Sequence, residues 1–122
     1  MTTTVASKYR GSKEFFLVYT ALIMAARFRG TVGYQKVAEL MGLPPQGNYM
    51  GTETGHLLGE ISEDEHKYGR PMLSAIAVST AGIPGDGFFK LARNLGKLAG
   101  TSTDTEREFW SSEKDAVYEA WK

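Results

Sequence analysis

The chain has no cysteine, which excludes disulfides, thiolate nucleophiles and cysteine metal ligands, and fits a reducing compartment. Proline is scarce, four residues in 122, and two of the four stand together at Pro44 and Pro45. There is no net charge, so no overall excess draws the chain to phosphate polymers. Long apolar runs are also missing. Residues 15–26 form the longest, broken by Thr20 and too short to cross a bilayer. The opening "MTTTVASKYRGSKE" lacks the charged region and cleavage site of a signal peptide. We therefore expect a cytoplasmic protein without a membrane partner, folded as one domain.

The charge that is present is unevenly placed. Residues 1–36 carry Lys8, Arg10, Lys13, Arg27, Arg29 and Lys36 against Glu14. Residues 37–69 carry Glu39, Glu53, Glu60, Glu63, Asp64 and Glu65 against Lys67. A basic surface and an acidic one are the natural expectation.

Local signals give the element order. Residues 1–11 are expected to be loose. Ser12 is placed to cap a central helix over 13–28, apolar on nearly all sides. Gly30 and Gly33 bracket a turn into a short helix over 34–41, with Val37, Leu40 and Met41 inward. Gly42 ends it, and Pro44-Pro45 forbid its continuation. A loop, "QGNYMG", leads to a helix over 52–68. There Leu57, Leu58 and Ile61 share one face, and Glu53, His56, Glu60, Glu63, Asp64 and Lys67 another. The run "PMLSAIAVS", 71–79, predicts a strand. A helix over 88–98 follows, burying Phe88, Leu91, Ala92 and Leu95. Thr103 with Glu106 has capping-box spacing for a last helix that closes the core through Phe109, Trp110, Val117, Tyr118 and Trp121.

The stretch "GTVGYQKVAELMGLP", from Gly30 to Pro44, resembles the opening of the DNA-binding domain of alkylguanine-DNA alkyltransferases and alkyltransferase-like proteins. Gly30, Val32, Tyr34, Val37, Ala38, Gly42 and Pro44 carry the likeness, with one residue fewer between Val32 and Tyr34 than is usual. "TGHLL" stands at the family's recognition helix and "RPMLSAIAV" at its reactive motif. The resemblance spans about residues 13–90. It implies a mostly helical winged helix-turn-helix domain, here extended by a C-terminal helix, that grips DNA and everts a base into a pocket. The reactive cysteine position falls on Met72, the adjoining histidine and arginine on Leu73 and Ser74, and the gap-filling arginine on Thr52. A thioether cannot replace a thiolate as the alkyl acceptor, so alkyl transfer is excluded.

Other constellations are weaker. Glu53/His56 and Glu63/His66 each have Glu-x-x-His spacing, but ten positions put the histidines about 80° apart on a helix, unable to share a metal. The plain reading is a solvated acidic face. His56 with Glu60 is a candidate metal or general-base pair, Arg70 could contact a phosphate or carboxylate ligand, and the three together would serve a small hydrolase. Ser74 completes a triad only on paper, because it lacks a nucleophile elbow. Arg70 is otherwise an ion-pair partner for Glu60 or Glu63. The glycines of "GIPGDGFFK" match no phosphate-binding fingerprint and read as a tight turn. Met41, Met50 and Met72 read as core filler or as a pocket lining.

The leading expectation is a non-enzymatic DNA-binding protein that senses a modified base or a distorted duplex. Arg27, Arg29, Tyr34 and Lys36 would engage phosphates, and Thr52, Met72 and Ser74 would line the pocket. The alternative is a protein-interaction module, a regulator or inhibitor of a nucleic-acid enzyme, whose acidic helix 52–68 docks on a basic partner. The small hydrolase around His56, Glu60 and Arg70 is third. No cofactor or metal is expected. An exposed Trp110/Trp121 face would favour a homodimer.

Overall fold

The computed structural model describes residues 5–44 and 48–122, with the side chains of 48–50 outside the description. The elements are α1 (Lys13–Arg27), β1 (Val32–Gly33), α2 (Tyr34–Leu40), α3 (Asn48–Lys67), a 3-10 turn (Leu73–Ile76), β2 (Ala77–Val78), α4 (Asp86–Asn94) and α5 (Thr103–Ala120). The fold is mostly helical, with one two-stranded parallel pair in the register Val32↔Ala77 and Gly33↔Val78. No antiparallel hairpin that would serve as a wing occurs among the described residues.

α1 starts where its cap dictates. The Ser12 hydroxyl accepts from the Phe15 N–H at 3.1 Å, an interaction that stabilises a helix start by about 1 kcal/mol. Its inner face buries Phe15, Val18, Leu22 and Ala26. The helix is one-sided rather than apolar-buried all round, since Phe16, Leu17, Met24 and Phe28 stay exposed. α2 turns Val37 and Ala38 inward, and Gly42 takes the left-handed conformation that ends it. α3 is longer than expected, beginning at Asn48. The loop predicted over 46–51 is therefore helical from Asn48 onward, and Gln46 and Gly47 lie outside the described residues. Gly69 stops α3 with a positive φ. α5 is capped one residue earlier than the sequence indicates: the Ser102 hydroxyl accepts from the Thr105 N–H at 3.1 Å.

The predicted strand over 71–79 is strand only at Ala77–Val78 and is a 3-10 turn over Leu73–Ile76, at the centre of the molecule. Every residue of 72–78 is buried, and a continuously buried run carries no periodicity to separate strand from helix. Such a short element cannot satisfy its own backbone, so side chains do. Glu113 on α5 accepts from the Met72 N–H at 2.8 Å. Ser62 on α3 accepts from the Ser74 N–H at 3.0 Å. The Trp110 indole donates to the Ala75 carbonyl at 2.8 Å. Trp110 and Trp121 pack against the core, which removes the exposed tryptophan face expected to favour a homodimer.

The segment expected to be loose is anchored over residues 5–10. Its backbone N–H groups and Arg10 are held by carboxylates of α3, so the acids that looked like a solvated face form an internal socket. Among the described residues, no helix is long and apolar enough to cross a membrane.

Candidate functional site

The acidic face of α3 is turned inward. Glu53, Glu60, Glu63 and Glu65 are all buried, and buried carboxylates demand charge and hydrogen-bond partners. Glu60, fully buried, accepts from the N–H groups of Lys8, Tyr9 and Arg10 at 3.0–3.1 Å. Arg10 spans the group: its Nη2 donates to Glu63 at 2.8 Å, its Nε to Asp64 at 3.0 Å, and its Nη1 stands 3.7 Å from Glu60. Glu63 also accepts from the Val5 N–H at 3.0 Å. Lys8 pairs with Glu53 at 2.6 Å, and the Tyr9 hydroxyl donates to the same carboxylate. Those two bonds, Lys8 first, hold the Glu53 carboxyl below the usual carboxylate range. The expected docking face is therefore spent inside the molecule, and the alternative of an acidic helix seated on a basic partner loses its surface.

The hydrolase constellation is not assembled either. His56 Nε2 lies 2.7 Å from the Ala6 carbonyl and 3.5 Å from Glu60, so it closes the socket. Arg70 pairs with neither Glu60 nor Glu63. It forms a fork on Glu65 at 2.8 and 2.9 Å, beside a Tyr19 hydroxyl that donates to Glu65 at 2.6 Å. Burial and then Glu65 push the Tyr19 hydroxyl up to about 12, while the Glu65 hydrogen bond raises Arg70 above its ordinary value. Ser74 shares a hydroxyl hydrogen bond of 2.6 Å with Ser62. The Ser74, His56 and Glu60 triad does not form. No cluster of three or more metal-ligating side chains occurs among the described residues.

A cleft of about 300 Å³ with room for a ligand lies between α3, the start of α2 and the start of α4. Its volume is at the lower end of ligand pockets, about 300–1,000 Å³. Tyr34, Phe88 and Leu91 supply apolar surface, Ser74 is among the lining residues, and Gly51, Gly55 and Gly59 line it from α3. Gly85, Asp86 and Gly87 line it from the start of α4. Tyr34 is locked in place, because its hydroxyl accepts from the Gly85 N–H at 2.5 Å. Burial raises the Tyr34 hydroxyl above its ordinary value.

Of the predicted pocket residues, Ser74 lines this cleft; Met72 is wholly buried in the core and Thr52 is exposed outside the lining. Met41 is core, and the Met50 side chain lies outside the described residues. Of the predicted phosphate-binding residues, Arg27, Arg29 and Lys36 are exposed. Tyr34 is not on that surface, since its hydroxyl is turned to Gly85. Arg29 adopts φ 56°, reaches Glu119 at 3.3 Å and lies over the Tyr118 ring. Lys36 stands 3.9 Å from Glu39.

Sequence reasoning missed the glycine wall, although the signal was there: Gly51, Gly55 and Gly59 recur every fourth residue, which stacks them on one helix face. Among the described residues, neither a positive φ nor close packing requires a glycine at these positions. A Cβ at Gly51 or Gly55 would meet nothing within 4 Å, and one at Gly59 would make ordinary contacts with Val5 and Leu91. Each glycine weakens the helix by about 1 kcal/mol relative to alanine. What their absent side chains leave is the cleft. No family model, curated protein or solved structure matches this chain.

Proposed function

We propose that this is a non-enzymatic DNA-binding protein whose glycine-walled cleft receives a flat heterocycle, a modified base presented out of a distorted duplex. The observation that carries the reading is the wall itself: helix stability is given up at Gly51 and Gly55 where no packing demands it. An extruded base is held by stacking against aromatic and apolar side chains with hydrogen bonds to its edge. Tyr34 and Phe88 offer the first, and Thr54 and Ser74 lie at the lining for the second. The helix-turn-helix part of the expected fold, without a wing among the described residues, belongs to the same proposal, with α2 and α3 as the helix pair. Arg29 and Lys36 are exposed at either side of β1 and the start of α2, and would hold phosphates without reading sequence.

Fluorescence-anisotropy titration of the protein into intact duplexes and duplexes carrying an alkylated guanine, across a salt series, tests this directly. Binding should weaken steeply with salt and favour the modified duplex. Gly55→Leu, which fills open space, should abolish that preference while leaving the fold and the salt-dependent component intact. Replacing Arg29 and Lys36 by Glu should do the reverse. No binding at low salt would overturn the proposal.

A further inference from the structure

The cleft between α3 and the start of α4 is lined by charge of one sign. Among its described lining residues there is no lysine, arginine or histidine, and Asp86 is the one carboxylate. Asp86 is exposed and takes part in none of the ion pairs among the described residues. The acids of α3, by contrast, are met by Lys8, Arg10 and Arg70. A helix start favours anions, and the start of α4 lies in this lining. Here the Gly85 N–H is already bound by the Tyr34 hydroxyl oxygen, and Asp86 in the first turn offsets the positive end of the helix. The rings of Tyr34 and Phe88 belong to the same lining, and the faces of aromatic rings attract cations.

We propose that the cleft selects a positively charged flat heterocycle, a base alkylated on a ring nitrogen, over a neutral one. This deepens the reading of the cleft as the receiver of a modified base, and rests on it. Alkylation of guanine at the ring nitrogen N7 leaves a delocalised cation, whereas alkylation at O6 leaves the ring neutral. The two methylated products are isomers, so apolar area hardly separates them and charge does. Either can stack on the rings of the cleft. The cation alone gains the attraction of the ring faces and of the Asp86 carboxylate. Arg29 and Lys36 stand outside the lining, so the cations assigned to phosphates do not oppose the charge of the base.

Selectivity is a difference between two affinities, and its size follows from the setting. Asp86 is exposed, so water and salt screen its attraction, and a cation–ring contact open to solvent is modest. Together they should favour the cation by about tenfold.

The glycines of the lining serve as reporters. The amides of Gly51, Gly55, Gly59 and Gly87 are followed by heteronuclear NMR as a nucleoside is added to the whole chain, with Gly69 and Gly96 outside the lining as controls. The probes are 7-methylguanosine at pH 6, where its ring is cationic, and its neutral isomer O6-methylguanosine. The cation should shift the cleft amides and bind about tenfold more tightly than the isomer. Asp86→Asn should cut that preference by at least about threefold and leave the affinity for the neutral isomer unchanged. Gly87→Lys, where a Cβ meets nothing within 4 Å, puts a like charge in the lining and should abolish binding of the cation. Equal or tighter binding of the neutral isomer, a preference unchanged in both variants, or no shift at the cleft amides would overturn the inference. Titration into duplexes decides the DNA reading separately. A protein that selects 7-methylguanosine yet binds no duplex keeps the cation site and loses the nucleic-acid role. One that prefers a duplex carrying O6-methylguanine to one carrying 7-methylguanine keeps the role and loses the cation site.

Discussion

Arg10→Ala is the sharpest probe of the socket on α3. The guanidinium, 18% exposed at the side chain, lies within 4 Å of Glu60, Glu63 and Asp64. Its loss does not fall equally on the three. Glu60 keeps three backbone N–H donors and His56. Asp64, 30% exposed, returns to water. The largest share falls on Glu63, which is 2% exposed and loses its bond to the guanidinium while keeping its other partners, the Val5 N–H among them. Removing the cation from a buried pair costs about 3–5 kcal/mol, against a total stability of about 5–15 kcal/mol for a domain. Arg10→Lys keeps the charge but loses the fork, and should cost less than half as much. Urea denaturation at pH 7 reads both values. The deficit of Arg10→Ala should shrink at pH 5. Removing the guanidinium makes protonation of the carboxylates around it easier than in the parent protein, so the difference between variant and parent narrows as pH falls. A loss under about 1 kcal/mol at pH 7, or one that does not change with pH, would refute the claim that this guanidinium balances buried charge.

Gly55→Ala should stabilise the protein by roughly 1 kcal/mol in urea denaturation, because the new Cβ meets nothing within 4 Å and helix propensity improves; destabilisation would show that the wall is sterically required. Glu113→Ala removes the acceptor of the Met72 N–H and the partner of Lys97, and should cost about 1–3 kcal/mol through a stranded buried donor. Spectrophotometric titration should find Tyr19 ionising near 12, about two units above an ordinary tyrosine. Since its folded value is the raised one, the stability it contributes is complete below pH 10 and is lost as pH climbs from 10 to about 12.

What was legible in the sequence is what depends on neighbours along the chain. The Ser12 cap, the stops at Gly42 and Gly69, and the Leu57, Leu58 and Ile61 face all follow from local rules, and the structure has each of them. What was illegible depends on distant partners. Arg10 looks like a charge on a loose tail until Glu63, 53 positions on, is placed beside it. Glu60 and Glu63 look solvated because the backbone donors that satisfy them leave no mark in composition. The 3-10 turn escaped because burial on every side erases the alternation that identifies a strand. Tyr34 was assigned outward because no sequence signal says that Gly85 will claim its hydroxyl. Half of the cleft, the spacing of Gly51, Gly55 and Gly59, was visible. The other half, Gly85 to Phe88, is brought across only by the fold.

The anchoring of residues 5–10 to α3 also sets an order of events during synthesis. The bonds that tie residues 5–10 to α3 join positions 44 to 58 apart, and loop closure on that scale comes late in folding. At synthesis rates of about 5–20 residues per second, the segment with Arg10 waits roughly 3–10 seconds for Glu60, Glu63 and Asp64 to be made. Until then Arg10 has none of these carboxylates to pair with, and the apolar face of α1 has no Leu57 or Ile61 to cover it. The socket is thus a completion signal: the nascent chain closes only once α3 has been made, and α1 is exposed to chaperones for that interval.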